Sequence, residues 1–182
     1  MRPAPRPRSG APTDSVDGLL RELAPKVRAW VFRHLGPGPH LDDATQEALI
    51  AIADALPRFE GRSKLTTYAR RIAIRAAQRH RRKNPPGQAL EAVHDVDGLT
   101  PEKLAMQRES IRRLYAALDT LSPKLRSVYI LCDVEKTAHE EAAAIAEVSV
   151  NTLRARLKRA RLALRSQLIA DPYFAGLFTE GT

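Results

Sequence analysis

Apolar residues recur at helical spacing along most of this chain. Val16, Leu19, Leu20, Leu23, Val27, Trp30 and Val31 keep the rhythm of one helical face, which predicts a first helix. Asp14 or Ser15 can cap its start. Pro25 falls inside the rhythm, so a kink or break is expected there. Gly36-Pro37-Gly38-Pro39 ends the element. A second helix is predicted over 41–56, with Ala44, Ala48, Ile52 and Ala55 facing a core and Asp42, Asp43, Glu47 and Asp54 outside. A third follows the loop at 57–63 and runs over 64–83. The pattern then breaks at 84–101, where Pro85, Pro86, Gly87, Gly98 and Pro101 mark a linker. Beyond it, Leu104, Ile111, Leu114, Tyr115, Leu118 and Leu121 mark one helix, and Leu125, Val128, Tyr129 and Leu131 the next. Ser122 suits its N-cap and Pro123 its first helical position.

Composition narrows the fold class. Hydrophobic residues are 43% of the 182, but aromatics only 5%, so any core is built from Leu, Ile, Val and Ala. Ala, Leu, Arg and Glu dominate and all favour helix. The expected fold is all-α: two small helical domains on a flexible linker, the second containing a helix-turn-helix. The expected divisions are a disordered, Pro- and Arg-rich tail at 1–13, a domain at 14–83, the linker at 84–101, a domain at 102–168 and a tail at 169–182.

Charge changes the picture. The net charge of +9 favours a polyanionic partner. It is unevenly placed: the third helix carries Lys64, Arg70, Arg71, Arg75, Arg79, Arg81, Arg82 and Lys83 and no acid, beside an acidic second helix. Neighbouring helices of opposite sign suggest two partners, or two solvated faces that attract each other. The single cysteine, Cys132, sits in an apolar run and reads as a packed hydrophobe. No apolar stretch approaches the ~18 residues of a membrane span. The basic N-terminus lacks the apolar segment of a signal peptide, so a cytoplasmic location without membrane insertion is expected.

Residues 137–165 read as a helix-turn-helix. Thr137 and Glu140 have capping-box spacing, and a helix over 138–146 turns its Ala142, Ile145 and Ala146 to one side. Glu147-Val148-Ser149 is a tight connection, and Ser149 caps the next helix. There Val150, Leu153, Leu157, Ala160 and Leu164 form an apolar stripe. Asn151, Arg154, Ala155 and Lys158 point away from it, a set able to read adenine, guanine and a thymine methyl in a major groove. Arg156, Arg159 and Arg161 flank them and suit phosphates. An enzyme is not expected. His139-Glu140-Glu141 lacks the second His of a zinc motif, the other histidines are scattered, and no Gly-rich phosphate loop occurs, so neither cofactor nor metal is expected. A stand-alone helix-turn-helix repressor or activator is the alternative; it would need a dimer interface, for which no extra heptad helix is visible.

The order of segments resembles a bacterial RNA polymerase sigma factor of the extracytoplasmic function (ECF) type. Leu41-Asp42-Asp43-Ala44-Thr45-Gln46-Glu47 is similar to the family's acidic D-A-E-D-L-V-Q-E segment, and Ala55-Leu56-Pro57-Arg58-Phe59 to A-L-P-R-F. Thr67-Tyr68-Ala69-Arg70-Arg71-Ile72-Ala73 resembles T-W-L-Y-R-I-A, and Leu118 to Pro123 resembles L-x-x-L-P. Residues 149–161 are very close to S-V-G-T-V-K-S-R-L-H-R-A-R. The resemblance spans roughly 18–168. It implies core RNA polymerase (β′ and β subunits) and promoter DNA as partners, with an anti-sigma factor as a further candidate.

It also implies three sites. Asp42, Asp43, Gln46 and Glu47 dock on the polymerase; Phe59, Arg62, Lys64, Tyr68, Arg71 and Arg75 melt and read the −10 element; Asn151, Thr152, Arg154, Ala155, Lys158 and Arg159 read the −35 element as duplex. Loop residues 60–64 would rim a pocket for a flipped base. The acidic linker either threads a basic polymerase channel or is a solvated tether. Tyr68 replaces the family's usual Trp, Arg70 its frequent Tyr, Arg75 its frequent Asn and Ala142 its usual Ile. Glu147 stands where Gly is usual, and a positive φ there would strain it.

Overall fold

A computed structural model describes residues 12–84 and 100–174. The expected N-terminal tail and linker lie, but for their edges, outside those residues, as does the C-terminal tail beyond 174. The described elements are all helical.

Helix α1 spans Pro12–Leu35 and continues unbroken through Pro25, where a kink or break was expected. Pro25 and Arg21 both lie on the exposed side, so the carbonyl left without an N–H partner faces solvent. Leu23, Val27 and Val31, on either side of the proline, are pinned in the core. Gly36 ends the helix at φ +95, and a Cβ there would sit 2.9 Å from Tyr115 Cδ1, so both backbone and packing require glycine.

Helix α2, Leu41–Ala55, tightens into a 3-10 turn at Leu56–Arg58, because Pro57 has no N–H to continue the ladder. Helix α3 spans Leu65–Lys83 after an extended Lys64. The three helices enclose one core of Leu23, Val27, Val31, Leu41, Ala44, Ala48, Ile52, Ala69, Ala73, Ala76 and Ala77. Its larger members each contribute about 1.5–3 kcal/mol by leaving water. Ala55, expected inside, is only half-buried, while Leu41 is buried in addition.

The second half begins with α4, Pro101–Asp119, capped by Thr100, whose Oγ1 accepts from Lys103 N at 3.4 Å. Helix α5, Pro123–Tyr129, has its proline in the first turn as expected, but Ser122 makes no side-chain cap bond. It runs into a π-helical turn, Ile130–Val134, that the sequence pattern did not announce. Helices α6, His139–Ala146, and α7, Val150–Ala170, form the helix-turn-helix. The expected capping box is absent: Ala138 is the N-cap of α6, and Thr137 Oγ1 is occupied by Arg70 Nη2 of α3 at 3.0 Å. Cys132 is buried with Val128, Leu131, Ala142, Ile145, Leu153 and Leu157 as a packed hydrophobe, and desolvation pushes its thiol pKa up.

The halves are docked. Ile74 of α3 is buried in the core of the helix-turn-helix half. Arg126 of α5, 3% exposed, donates from Nε and Nη2 to the His34 carbonyl at 3.3 and 3.2 Å and from Nη1 to Asp119. Arg81 of α3 reaches the same carboxylate at 2.6 Å, and Gln78 Nε2 donates to Ser127 Oγ at 2.6 Å.

Candidate nucleic-acid interface

The helix-turn-helix is built by local chemistry. Helix α6 closes with Glu147 N donating to Ala144 O at 3.4 Å and Val148 N to Ala143 O at 3.0 Å, the paired bonds of a Schellman motif. Glu147 occupies the left-handed position at φ 53, ψ 49. A non-glycine residue held there costs about 1–3 kcal/mol. Ser149 then caps α7, its Oγ accepting from Thr152 N at 3.1 Å, as its sequence position required.

Leu153, Leu157, Ala160 and Leu164 of α7 are buried, and Val150 is half-buried. Asn151, Thr152, Arg154, Ala155, Lys158 and Arg159 are all exposed. Arg154 and Lys158 stand one turn apart. Arg161 departs from expectation: Asp133 holds its Nε at 2.8 Å and Nη2 at 2.6 Å, so it is committed within the protein.

A second site forms where α3 leaves its loop. A cavity of about 400 Å³ is lined by Phe59, Glu60, Arg62, Tyr68 and Arg71, among others. The Phe59 and Tyr68 rings lie 5.1 Å apart, and the Arg71 guanidinium sits 5.1 Å from the Tyr68 centroid. Tyr68 donates to Ala55 O at 3.3 Å, which fixes its ring, while Gly61 at φ +72 turns the loop. Four expected residues, Phe59, Arg62, Tyr68 and Arg71, are thus brought together. Arg75 lies one turn beyond Arg71, and Lys64 is exposed at the start of α3, outside the cavity wall.

The lining of that cavity also includes Ala144 of α6, and some of the cations of α3 are paired with acids of the second half. Glu147 pairs with Arg71 at 3.0 Å and also with Arg75. Glu135 pairs with Arg70 and, at 3.3 Å, with Arg33. Glu135 is 5% exposed, and removing a partner from so buried a charge typically costs 3–5 kcal/mol. Glu147 is 43% exposed, and pairs of that kind are worth about 0.2–1 kcal/mol each. Glu135 is therefore an anchor, whereas the Glu147 pairs are no stronger than the backbone strain beneath them. Glu135 and Arg33 had not been singled out from sequence, and Glu147 only as a strained turn residue. The one available signal was Glu at a position that prefers glycine.

Asp42, Asp43, Gln46 and Glu47 are all exposed along α2. Asp42 pairs with Arg28 at 2.7 Å, and Glu47 lies 3.7 Å from His80 Nδ1. Both Asp42 and Asp43 stand in the first turn, where the helix dipole favours negative charge. Among the described residues no helix is long and apolar enough to cross a membrane, and no cluster of three or more His, Cys, Asp or Glu could hold a metal ion.

Known proteins resemble this chain over most of its length. The model of Sigma-70 region 2 matches residues 19–85, and that of Sigma-70, region 4 matches 111–164. The ECF RNA polymerase sigma-E factor of Escherichia coli K12 is 30% identical over 155 residues, which cover 79% of this chain and 81% of that protein. The ECF RNA polymerase sigma factor SigE of Mycolicibacterium smegmatis is 31% identical over 163 residues, 85% of this chain and 62% of that one. In fold, the sigma factor RpoE of Bartonella quintana, solved with the anti-sigma factor NepR, superposes with a TM-score of 0.63 at 22% identity, covering 87% of this chain and 99% of that chain. CnrH, solved with the cytosolic domain of CnrY, gives 0.62 at 20% identity, covering 87% and 90%. A stand-alone helix-turn-helix regulator would not account for the region 2 match. The chain belongs to the sigma-70 family and, within it, to the ECF sigma factors: an all-helical, two-domain subunit that works with core RNA polymerase on promoter DNA to direct transcription initiation.

Proposed function

We propose a division of labour among three surfaces. The exposed acids of α2 (Asp42, Asp43 and Glu47, with Gln46) dock on a basic face of the polymerase. Phe59, Tyr68 and Arg71 receive an unpaired base of the −10 element in the α3 cavity, while Arg62, Lys64 and Arg75 hold the strand's phosphates. Helix α7 enters the major groove of the −35 element, with Asn151, Arg154, Ala155 and Lys158 towards base edges and Thr152 and Arg159 towards the backbone. The domains are those at 14–83 and 102–168, and the chain acts in the cytoplasm as a non-catalytic subunit. An anti-sigma protein, such as accompanies the solved neighbour from Bartonella quintana, is a candidate partner.

One observation carries this reading: α7 presents a base-reading set of side chains, every one exposed, on a capped helix whose opposite stripe is buried. Transcription with core polymerase on intact and pre-melted templates tests it. Arg154→Ala should cost about 1–3 kcal/mol on intact promoters carrying the preferred upstream element. It should cost nothing on pre-melted DNA lacking that element. Tyr68→Ala should show the reverse emphasis, impairing opening whatever lies upstream. Equal loss from Arg154→Ala on both templates would remove α7 as the upstream reader.

A further inference from the structure

A second cavity lies in the seam between the halves, apart from the three surfaces assigned to polymerase and promoter. It measures about 190 Å³ and is lined by His34 of α1, Gln78, Arg81 and Arg82 of α3, and Arg126 and Ser127 of α5, with Asp119 among them. Sites for drug-sized ligands measure roughly 300–1,000 Å³, so this one suits a small ligand. Three arginines face a single carboxylate. Asp119 is shared between Arg126 Nη1 and Arg81 Nη1, and burial, followed by the charge of Arg81, lowers the Arg126 pKa to about 10. The cavity is therefore short of negative charge.

Its unspent hydrogen-bonding groups form a mixed set. Arg81 Nη1 is buried and, though 2.6 Å from Asp119 Oδ1, is not aligned with it and has no hydrogen-bond partner. Ser127 Oγ accepts from Gln78 Nε2 at 2.6 Å, which leaves its own proton to give. Arg82, itself exposed, adds a further guanidinium. All of these are donors. His34 is the exception. Its Nδ1 donates to Trp30 O, burial keeps the ring neutral, and Nε2, in a residue 3% exposed, is a bare acceptor without a partner. A small anion that accepts from several sides and donates from one satisfies the whole set.

We propose that this cavity binds inorganic phosphate: the charged oxygens accept from Arg81, Arg82 and Ser127, and the P–OH donates to His34 Nε2. Near neutral pH both ionisation states of inorganic phosphate keep a P–OH. Sulfate has the same shape but no proton to donate, so it sets a lone pair against the imidazole nitrogen. A phosphate monoester, with a second pKa of about 6, has mostly lost its proton as well. The single acceptor among the donors thus selects the ligand. Because the donors belong to α3 and α5 and the acceptor to α1, the bound anion joins elements of both halves and stabilises the fold by mass action.

Calorimetric titration of the full chain, in phosphate-free buffer near neutral pH and at fixed ionic strength, tests this with inorganic phosphate, glycerol 3-phosphate and sulfate as probes. Inorganic phosphate should bind saturably, one per chain. Sulfate and glycerol 3-phosphate should bind at least about tenfold more weakly, because each leaves the buried acceptor unpaired. At about five times its Kd, inorganic phosphate should raise the Tm by about 2–4 °C beyond the rise given by equal sulfate, which corrects for the general stabilisation that both salts bring. Arg82→Gln changes an exposed position and should weaken phosphate binding about tenfold by removing a charge-assisted bond. Arg79→Gln, equally exposed on α3 but outside the cavity lining, removes the same charge and should leave binding unchanged. Sulfate or the monoester binding as tightly as phosphate would overturn the proposal, as would several equivalent sites per chain. So would equal losses from Arg79→Gln and Arg82→Gln, which would mean attraction to the basic surface at large.

Discussion

His34 brings a neutral imidazole into the seam between the two halves. Its Nδ1 donates to Trp30 O at 3.1 Å, its Nε2 has no hydrogen-bond partner, and the residue is 3% exposed. Burial lowers its pKa from 6.5 to about 3, and the positive charges of Arg126, Arg70 and Arg33 push the same way. The unfolded chain therefore takes up a proton that the folded chain refuses. The stability this residue confers is complete above pH 6.5 and falls as pH drops from there towards 3. Between about pH 7 and pH 5 the loss should be about 2 kcal/mol. His34→Leu should remove most of that slope while the residue 34 carbonyl still accepts from Arg126. Urea midpoints of both proteins at the two pH values check this, and identical slopes would show that other groups set the acid sensitivity. Single-residue chemistry was legible in sequence where it is local. Ser149 caps α7 because the hydroxyl and the N–H it serves are three residues apart. Thr137 had the same credentials and lost its role to an arginine 67 residues away.

At the level of elements, α2 is a helix with one face spent on the core and the other unspent. Asp42 is partly compensated by Arg28, while Asp43 makes no ion pair among the described residues. Asp43→Lys should therefore weaken holoenzyme assembly about tenfold, more than Asp42→Lys, because reversing a rim charge turns attraction into repulsion. The far-UV circular dichroism of the free chain should not change, and unaltered core binding in a competition assay would take α2 out of the interface. The helices themselves were readable because their stripes recur at 3.6 residues, and most of their ends fell within a few residues of expectation, although α7 runs on to Ala170. The π turn was not. Its run Val128-Tyr129-Ile130-Leu131-Cys132 buries three consecutive residues, Ile130, Leu131 and Cys132. No one-sided helix does that, so five apolar residues in a row were the overlooked sign of packing on more than one side. The extra residue in the turn also lets Glu135 N bond to Ile130 O at 2.9 Å, at the point where that side chain enters the seam.

The whole molecule is less a pair of tethered domains than a closed pair. That closure could not be read from sequence, because each residue in the seam has an adequate local reading: arginines for DNA, glutamates for solvent. Ile74 was the exception, a lone large apolar side chain on a face of α3 shared with Arg70, Gln78 and Arg81, away from the Ala69–Ala73–Ala76–Ala77 stripe. Ile74→Asp should leave both halves helical yet part them, seen as a larger radius of gyration in small-angle scattering with unchanged helicity; an unchanged radius would mean that Ile74 does not hold the seam. The first half has a further peculiarity in what fills it. Six of its core positions, Ala44, Ala48, Ala69, Ala73, Ala76 and Ala77, are alanines with 0% exposure. Such a centre has already been pared to its smallest volume. Substitution there can hardly empty space; it can only overfill it, typically at about 1–3 kcal/mol, or insert glycine at about 1 kcal/mol of helix propensity. The mutational tolerance of this half is therefore lopsided: drift towards larger side chains is barred along the α1–α2–α3 contacts, and adaptive change is channelled to the outward faces.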